Sequence, residues 1–244
     1  MSQQLGTILV AVDFGEASAR ALTLAGALAA ATGARLRVLH AESIDAPPYF
    51  TQAQLEVLEG ELQENRARAS AFLHEFVRKH TAVPFEPVIE SRTPSEAVLR
   101  ASSGADLVVM GTHGRRGPSH WWLGSVAERV LRETAVPLMV VHENVQVVAS
   151  SAFTKAMLLD DGSAAAARTT ALTEIIARTC GGTVIRVQAD EVPRARADLG
   201  ATWVAVPAPT PRTSRWLSRV GEPLVQGCSM PVMFVPEIEG EVRS

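Results

Sequence analysis

The 244-residue sequence contains little cysteine. Its two cysteines, Cys180 and Cys228, form neither the framework of a disulfide-rich protein nor the clustered ligand pattern of a metal site. This cysteine usage is typical of proteins in a reducing compartment. We therefore predict a cytoplasmic protein and interpret both cysteines as small buried apolar residues.

A strong charge of one sign is also absent. The formal net charge of −3 at pH 7 provides no broad basic field for nucleic acid or an anionic membrane. No stretch approaches the roughly 18 consecutive apolar residues of a membrane-spanning helix, and the first residues, MSQQLGTILV, lack the pattern of a secretory signal. We expect neither a nucleic-acid partner nor a membrane partner.

Short apolar runs alternate with longer helical patterns in the first part of the chain. The predicted strands cover 7–13, 35–42, 85–91, 106–110 and 137–143, and the predicted helices cover 18–33, 51–80, 93–104 and about 125–133. This alternation is typical of a parallel sheet with helices on both faces. The sequence therefore predicts an α/β protein with a doubly wound, Rossmann-like parallel sheet.

A shortened second copy follows the first. Residues 12–40 align without a gap with 160–188, so that Asp13 matches Asp161 with an offset of 161 − 13 = 148. Further on, Gly111 matches Pro207 with an offset of 207 − 111 = 96, a loss of 52 positions. We predict a complete domain over 1–145 and a shortened, degenerate domain over 153–240. The two would form a pseudo-dimer whose last strands pair with each other or with another copy, since unpaired apolar edges promote aggregation.

A glycine-rich segment, GTHGRRGPSHWWLGSVAERVL (111–131), follows the fourth predicted strand. Ligands of doubly wound sheets bind beyond the carboxyl ends of the strands. Glycines there allow positive φ and close backbone approach to an anion, and the N-terminus of the following helix favours phosphate. The spacing G-x2-G-x9-G-S therefore predicts a phosphate-binding loop. It contains Gly111, Gly114, Gly117, Gly124 and Ser125.

These motifs, with ILVAVDFGEASARAL, TPSEAVL, ADLVVMGTHGRRG, LGSVAERVL and VPLMVV, resemble the universal stress proteins of the ATP-binding type over about residues 1–143. The resemblance implies a five-stranded, adenine nucleotide alpha hydrolase-like fold, bound ATP and, in many members, dimers. It implies that the nucleotide lies among Ala11, Val12, Asp13, Leu39, His40, Met110, Gly111, His113, Gly114, Gly124, Ser125 and Val126. We predict that ATP binds with Mg²⁺, that Asp13 reaches the metal through the bound nucleotide, and that Arg115 screens phosphate charge.

Ordinary structural roles stay open for several of these residues. Asp13 fits a helix N-cap, His113 fits a turn, and His40 fits an ordinary strand end. Arg115 fits a solvated face of the loop. The glycine spacing and Asp13, taken together, favour the nucleotide site over these separate roles.

The second copy has lost the residues of this site. Pro207 stands where the first copy has Gly111, and proline has a fixed φ and no N–H donor. We expect Arg212, Arg215 and Arg219 to be surface charges that attract phosphate only weakly. The sequence therefore predicts one nucleotide per chain.

Three functions are consistent with this pattern. The first is a regulatory protein in which ATP occupancy sets the conformation or the choice of an unknown protein partner. The second is an interaction module that has kept the fold without the nucleotide, and the third is an enzyme such as a slow ATP hydrolase. VDFGEAS is not a Ser-Gly-Gly phosphate loop and no Walker lysine pattern occurs, so we assign no catalytic residues and favour the regulator.

Overall fold

A computed structural model describes residues 5–42, 52–112, 123–146, 148–188, 191, 199–209, 212 and 230–237. These residues form alternating strands and helices. The elements are β1 (Thr7–Ala11), α1 (Glu16–Thr32), β2 (Arg35–Ala41), α2 (Gln52–His80), β3 (Phe85–Glu90), α3 (Pro94–Ser102), β4 (Leu107–Gly111), α4 (Ser125–Glu133), β5 (Leu138–Val141), β6 (Lys155–Leu159), α5 (Ala164–Thr179), β7 (Thr183–Val187), β8 (Trp203–Ala208) and β9 (Val232–Pro236).

The strands form one sheet in the order β3-β2-β1-β4-β5-β9-β8-β6-β7. Neighbouring strands are parallel, except that β5 and β9 are antiparallel, with Leu138 opposite Phe234. The predicted pairing of the last strands is therefore confirmed, and it occurs within the chain. The predicted α/β class, with a predominantly parallel sheet, is confirmed as well.

The β5–β9 pair divides the sheet into a long arm, β1 to β5, and a short arm, β6 to β9. Outward from the pair, the long arm runs β5, β4, β1, β2, β3, and the short arm runs β9, β8, β6, β7. No helix or strand whose bounds the structure describes lies between β7 and β8, whereas α2, β3 and α3 separate β2 from β4. Among the described residues, the short arm thus has no counterpart of β3. The predicted domain bounds, 1–145 and 153–240, remain a proposal.

Successive residues of a strand pack on opposite faces of the sheet. Ile8 and Val10 lie in a core with residues of α1, α2 and α5, whereas Leu9 lies in a second core with residues of α3 and α4. All three side chains are fully buried. Helices therefore cover both faces, as predicted, which explains why the strands are continuous apolar runs.

The first helix of each arm is held by an arginine at the same position of the alignment. Arg20 of α1 donates a hydrogen bond to the Val145 carbonyl at 2.9 Å, and Arg168 of α5 donates to the Pro236 carbonyl at 2.7 Å. Each bond joins the helix to the chain at or after the last strand of its own arm. The aligned arginines thus have equivalent structural roles.

Some element boundaries differ from the predicted ones. The sequence predicts that β1 reaches residue 13, but β1 ends at Ala11 because Phe14 has a φ of 65°, which no strand accommodates. The sequence also extends β5 to residue 143. It ends at Val141 because the Asn144 N–H donates to Nδ1 of His142 at 3.1 Å and turns the chain.

Candidate functional site

The carboxyl ends of β1, β2 and β4 meet at one edge of the sheet. Ala11 is paired with Leu39 on one side and with Met110 on the other, and Gly111 is paired with Val141. Four predicted site residues, from three separate parts of the sequence, therefore lie side by side. This is the edge at which doubly wound sheets bind ligands.

The side chains at this edge point largely into the protein core. Val12, Leu39 and Met110 are at most 5% exposed. Leu39 and Met110 pack in the core beneath α3 and α4. These three residues therefore offer a ligand mainly their backbone groups, whereas Ala11 and His40 are half-buried.

A short network holds the chain just after β1. The Val12 N–H donates to the Leu39 carbonyl, and Nδ1 of His40 donates to the Val12 carbonyl, both at 2.9 Å. Because a carbonyl only accepts hydrogen bonds, Nδ1 of His40 carries a proton in this contact. His40 is thus part of the edge rather than only the end of β2.

Asp13 closes the turn between β1 and α1. Its Oδ1 accepts a hydrogen bond from the Gly15 N–H at 3.0 Å. Gly15 is the N-cap residue of α1, so the simple N-cap role for Asp13 is wrong. Asp161 accepts a hydrogen bond from the Ser163 N–H at 3.0 Å in the same way, so the same turn occurs in both arms.

Phe14, which lies between Val12 and α1, was not among the site residues predicted from the sequence. Its φ of 65° is left-handed, and it is the only non-glycine residue with positive φ in the described part of the chain. The sequence held one signal for this turn, because the gap-free alignment of the two copies places Gly162 over Phe14. In the structure Gly162 has a φ of 66°. A glycine at an aligned position indicates a left-handed turn.

The amino end of α4 returns to the same edge. The Thr112 N–H donates to the Val141 carbonyl at 3.0 Å, and the Gly124 N–H donates to the Thr112 carbonyl at 2.6 Å. Gly124 is the N-cap of α4, with φ −64° and ψ 155°, and no described side chain forms a cap hydrogen bond there. The first-turn N–H groups of a helix have no intrahelical acceptor. Ser125 is exposed and Val126 is half-buried at this end of the helix.

The positive φ expected of the loop glycines is not found at Gly111 or Gly124. Among the described glycines, positive φ occurs at Gly33, Gly162, Gly181 and Gly200. Gly111 is instead required for packing, because a Cβ there would lie 2.8 Å from the Cβ of Ala17 in α1. The remaining predicted loop residues lie outside the described residues. They are His113, Gly114, Arg115 and Gly117.

The short arm differs at the corresponding positions. Pro207 pairs with Val235 in β9, as Gly111 pairs with Val141 in β5. Arg212 is not the surface charge that the sequence predicts, because it is only 7% exposed. Its guanidinium donates two hydrogen bonds to the Arg132 carbonyl, at 3.3 and 3.2 Å, and one to the Thr134 carbonyl. The short arm therefore contacts the carboxyl end of α4.

Two further properties bear on the predicted ligands and partners. Within the described ranges, no three His, Cys, Asp or Glu side chains are grouped so that they could hold a metal ion. No helix in the described part of the chain is long and apolar enough to cross a membrane. The prediction of Mg²⁺ at Asp13 therefore depends on a bound nucleotide.

The fold is that of an α/β protein in which the carboxyl ends of β1, β2 and β4 meet at one edge of the sheet. Residues 5–142 match the sequence model of the universal stress protein family. Because the match covers more than half of the 244 residues, the chain belongs to the universal stress protein family. The resemblance seen in the motifs is thereby confirmed.

Similar proteins cover different shares of this chain. A universal stress protein of Thermus aquaticus is 38% identical over 144 residues, which are 56% of this chain and 98% of that protein. One from Mycobacterium tuberculosis is 29% identical over 145 residues, 58% of this chain but only 47% of that protein. The crystal structure of one from Archaeoglobus fulgidus covers 96% of this chain and 100% of its own, with a TM-score of 0.71 and 17% identity. That likeness shows that the two proteins share the fold.

Proposed function

We propose that the long arm binds one adenine nucleotide, ATP with Mg²⁺, and that its occupancy regulates the conformation or the protein partner of this chain. The observation that carries the proposal is the position of α4. No described side chain caps its amino end, which is bonded through Gly124 to Thr112, next to the carboxyl ends of β4 and β1. A helix N-terminus at this edge suits a phosphate group.

Different residues of the edge would bind different parts of the nucleotide. The first-turn amides of α4 and the Ser125 hydroxyl would hold the phosphates. Asp13 supplies a carboxylate of the kind that Mg²⁺ prefers. The base would lie toward Val12 and His40 and the backbone of Met110, as the family resemblance implies. His113, Gly114, Arg115 and Gly117 complete the proposed site. Bound Mg²⁺ would neutralise phosphate charge.

An interaction module without nucleotide is the second candidate. One observation favours it, since Gly111 and Asp13 both have structural roles that persist without a ligand. A slow ATP hydrolase is a third candidate, for which no residue carries an assigned catalytic role. Nucleotide binding separates the second candidate from the first, and turnover separates the third.

The arrangement of the chain is part of the proposal. We propose domains over 1–145 and 153–240, forming a pseudo-dimer through the β5–β9 pair, in a cytoplasmic protein. A homodimer would need another surface, because β9 already occupies the edge of β5. The short arm would then serve packing or an unknown protein partner rather than a second nucleotide.

Gly124→Val tests the phosphate end of the site. The φ and ψ of Gly124 lie in the extended region, which valine adopts without strain, so the variant should fold. The added side chain would occupy the space of the phosphates. We expect ATP affinity to fall at least about 100-fold, corresponding to roughly 2.7 kcal/mol, in calorimetric titration with Mg²⁺.

Ser163→Val is the matched control. Ser163 is the N-cap of α5 with nearly the same backbone, φ −74° and ψ 166°, and it lies in the short arm. This variant should bind ATP like the wild type. Unchanged ATP affinity in folded Gly124→Val would show that α4 does not hold the phosphates, and a wild type that binds no nucleotide would favour the interaction module.

A further inference from the structure

Phe14 has a bulky side chain, but its backbone conformation is one that bulky residues rarely adopt. Its φ is 65°, and the aligned residue of the short arm, Gly162, has a φ of 66°. The left-handed region is unfavourable for L residues with a Cβ, and glycine avoids the cost. The fold therefore accepts glycine at this turn, and the phenylalanine of the long arm needs a separate reason.

The Phe14 ring connects three elements. Its centroid lies 4.3 Å from the His40 ring at the end of β2, with the two planes tilted by 42°. It meets Phe72 and Phe76 of α2 edge-on, at 4.6 and 5.3 Å. Aromatic pairs favour these separations and angles. The ring thus holds the imidazole of His40 against α2.

The His40 ring in turn holds the backbone of the ligand edge. Its Nδ1 donates to the Val12 carbonyl at 2.9 Å, and Val12 directly precedes Asp13. Rotation of an unsupported imidazole would break this bond and leave Val12 held through its N–H bond to the Leu39 carbonyl, so that the chain after β1 would be less firmly positioned. Strained backbone at a site is a reason to look for function there.

We propose that Phe14 is a positioning residue for the base of the nucleotide, acting through His40 on Val12. This inference rests on the proposed function, because it concerns the same site. Phe14 would not contact the phosphates, since it supports the opposite end of the site from α4. Its loss should therefore weaken binding of every ligand that carries the adenine base, with or without phosphates.

Phe14→Gly tests the inference with two probes, ATP and adenosine. Glycine suits the φ of this position, so the turn should form. We expect both dissociation constants to rise by about tenfold, which corresponds to roughly 1.4 kcal/mol. Gly124→Val should weaken the binding of ATP much more than the binding of adenosine. Phe14→Tyr keeps the ring and should restore wild-type affinity for both probes.

Gly162→Ala controls for effects on stability alone. Apart from the neighbouring residues in the sequence, no described heavy atom lies within 4 Å of the added Cβ. The loss of stability therefore comes from the positive φ of this position. This variant should lower the melting temperature and leave both affinities unchanged. If Phe14→Gly binds both probes with wild-type affinity, or loses affinity for ATP but not for adenosine, the inference is wrong. A wild type that binds neither probe would overturn the proposed function and the inference together.

Discussion

Gly111 lies where α1 crosses the end of β4. A Cβ at this residue would lie 2.8 Å from the Cβ of Ala17 and 3.0 Å from the Ser18 nitrogen. Since the backbone of α1 cannot yield without moving the whole helix, any larger residue would separate α1 from the sheet. This glycine therefore supports the fold whether or not a nucleotide binds.

Gly111→Ala should destabilise the protein by about 1–3 kcal/mol, the usual cost of overpacking. Gly104→Ala is the control, because a Cβ there would be 3.7 Å from Nη1 of Arg37, an ordinary contact. That change should stay within about 0.5 kcal/mol. Urea denaturation measures both. Equal effects of the two substitutions would contradict the packing role of Gly111.

Residues whose roles follow from local chemistry could be predicted from the sequence, and residues whose roles depend on tertiary contacts could not. Gly124 was placed at the start of a helix by its spacing, and the structure has α4 begin at Ser125. Phe14 was missed because bulky residues rarely adopt left-handed φ. Arg212 was expected at the surface because burial of an arginine depends on acceptors from a distant part of the chain.

At the scale of elements, α4 connects the two arms. Its amino end lies next to the carboxyl ends of β1 and β4, and the carbonyls at its carboxyl end accept the hydrogen bonds of Arg212. A cation at a helix C-terminus is favourable because the dipole is negative there. Burial lowers the pKa of the Arg212 guanidinium, but arginine stays charged in proteins. The short arm thus fixes the helix that begins the proposed phosphate site.

Arg212→Met should destabilise the protein by about 1.5–3 kcal/mol, the range for hydrogen bonds to a charged group. It should also speed hydrogen exchange in α4. The control is Arg129→Met, which removes an exposed ion pair with Glu133 at 3.0 Å on the same helix and a 3.3 Å hydrogen bond to the Ser95 hydroxyl of α3. It should cost less than about 1 kcal/mol. If α4 exchanges no faster in Arg212→Met than in the control, the short arm does not hold this helix.

The helices and strands were largely predictable from the sequence. The spacing of apolar residues and the residues that start or end a helix are local properties of the chain. Gly33 was placed at the C-cap of α1 and has a φ of 73° there. The sequence favoured pairing of the last strands but left open whether the partner was the same chain. Which strand pairs with β5 depends on the path of the connection between the arms. In this chain the connection allows β9 to lie beside β5.

At the scale of the whole molecule, one sheet joins two arms with different edges. The Gly111 position of the long arm is matched by Pro207 in the short arm, and both pair with the last strand of their arm. Asp161 keeps the turn of Asp13, with a bond of 3.0 Å to the Ser163 N–H. The short arm has therefore kept the features that shape the fold and changed a position at the end of β8.

One nucleotide per chain is expected from this asymmetry. Pro207, Pro209 and Pro211 have no N–H donor, whereas the long arm has a glycine-rich sequence and the amino end of α4. Losing two or three hydrogen bonds to charged oxygens, at about 1.5–3 kcal/mol each, weakens binding by several orders of magnitude. Titration with ATP and Mg²⁺ should give a stoichiometry near one, and Gly124→Val should remove it. Two equivalent sites, or a site that survives this substitution and maps to 155–237, would show that the short arm binds nucleotide after all.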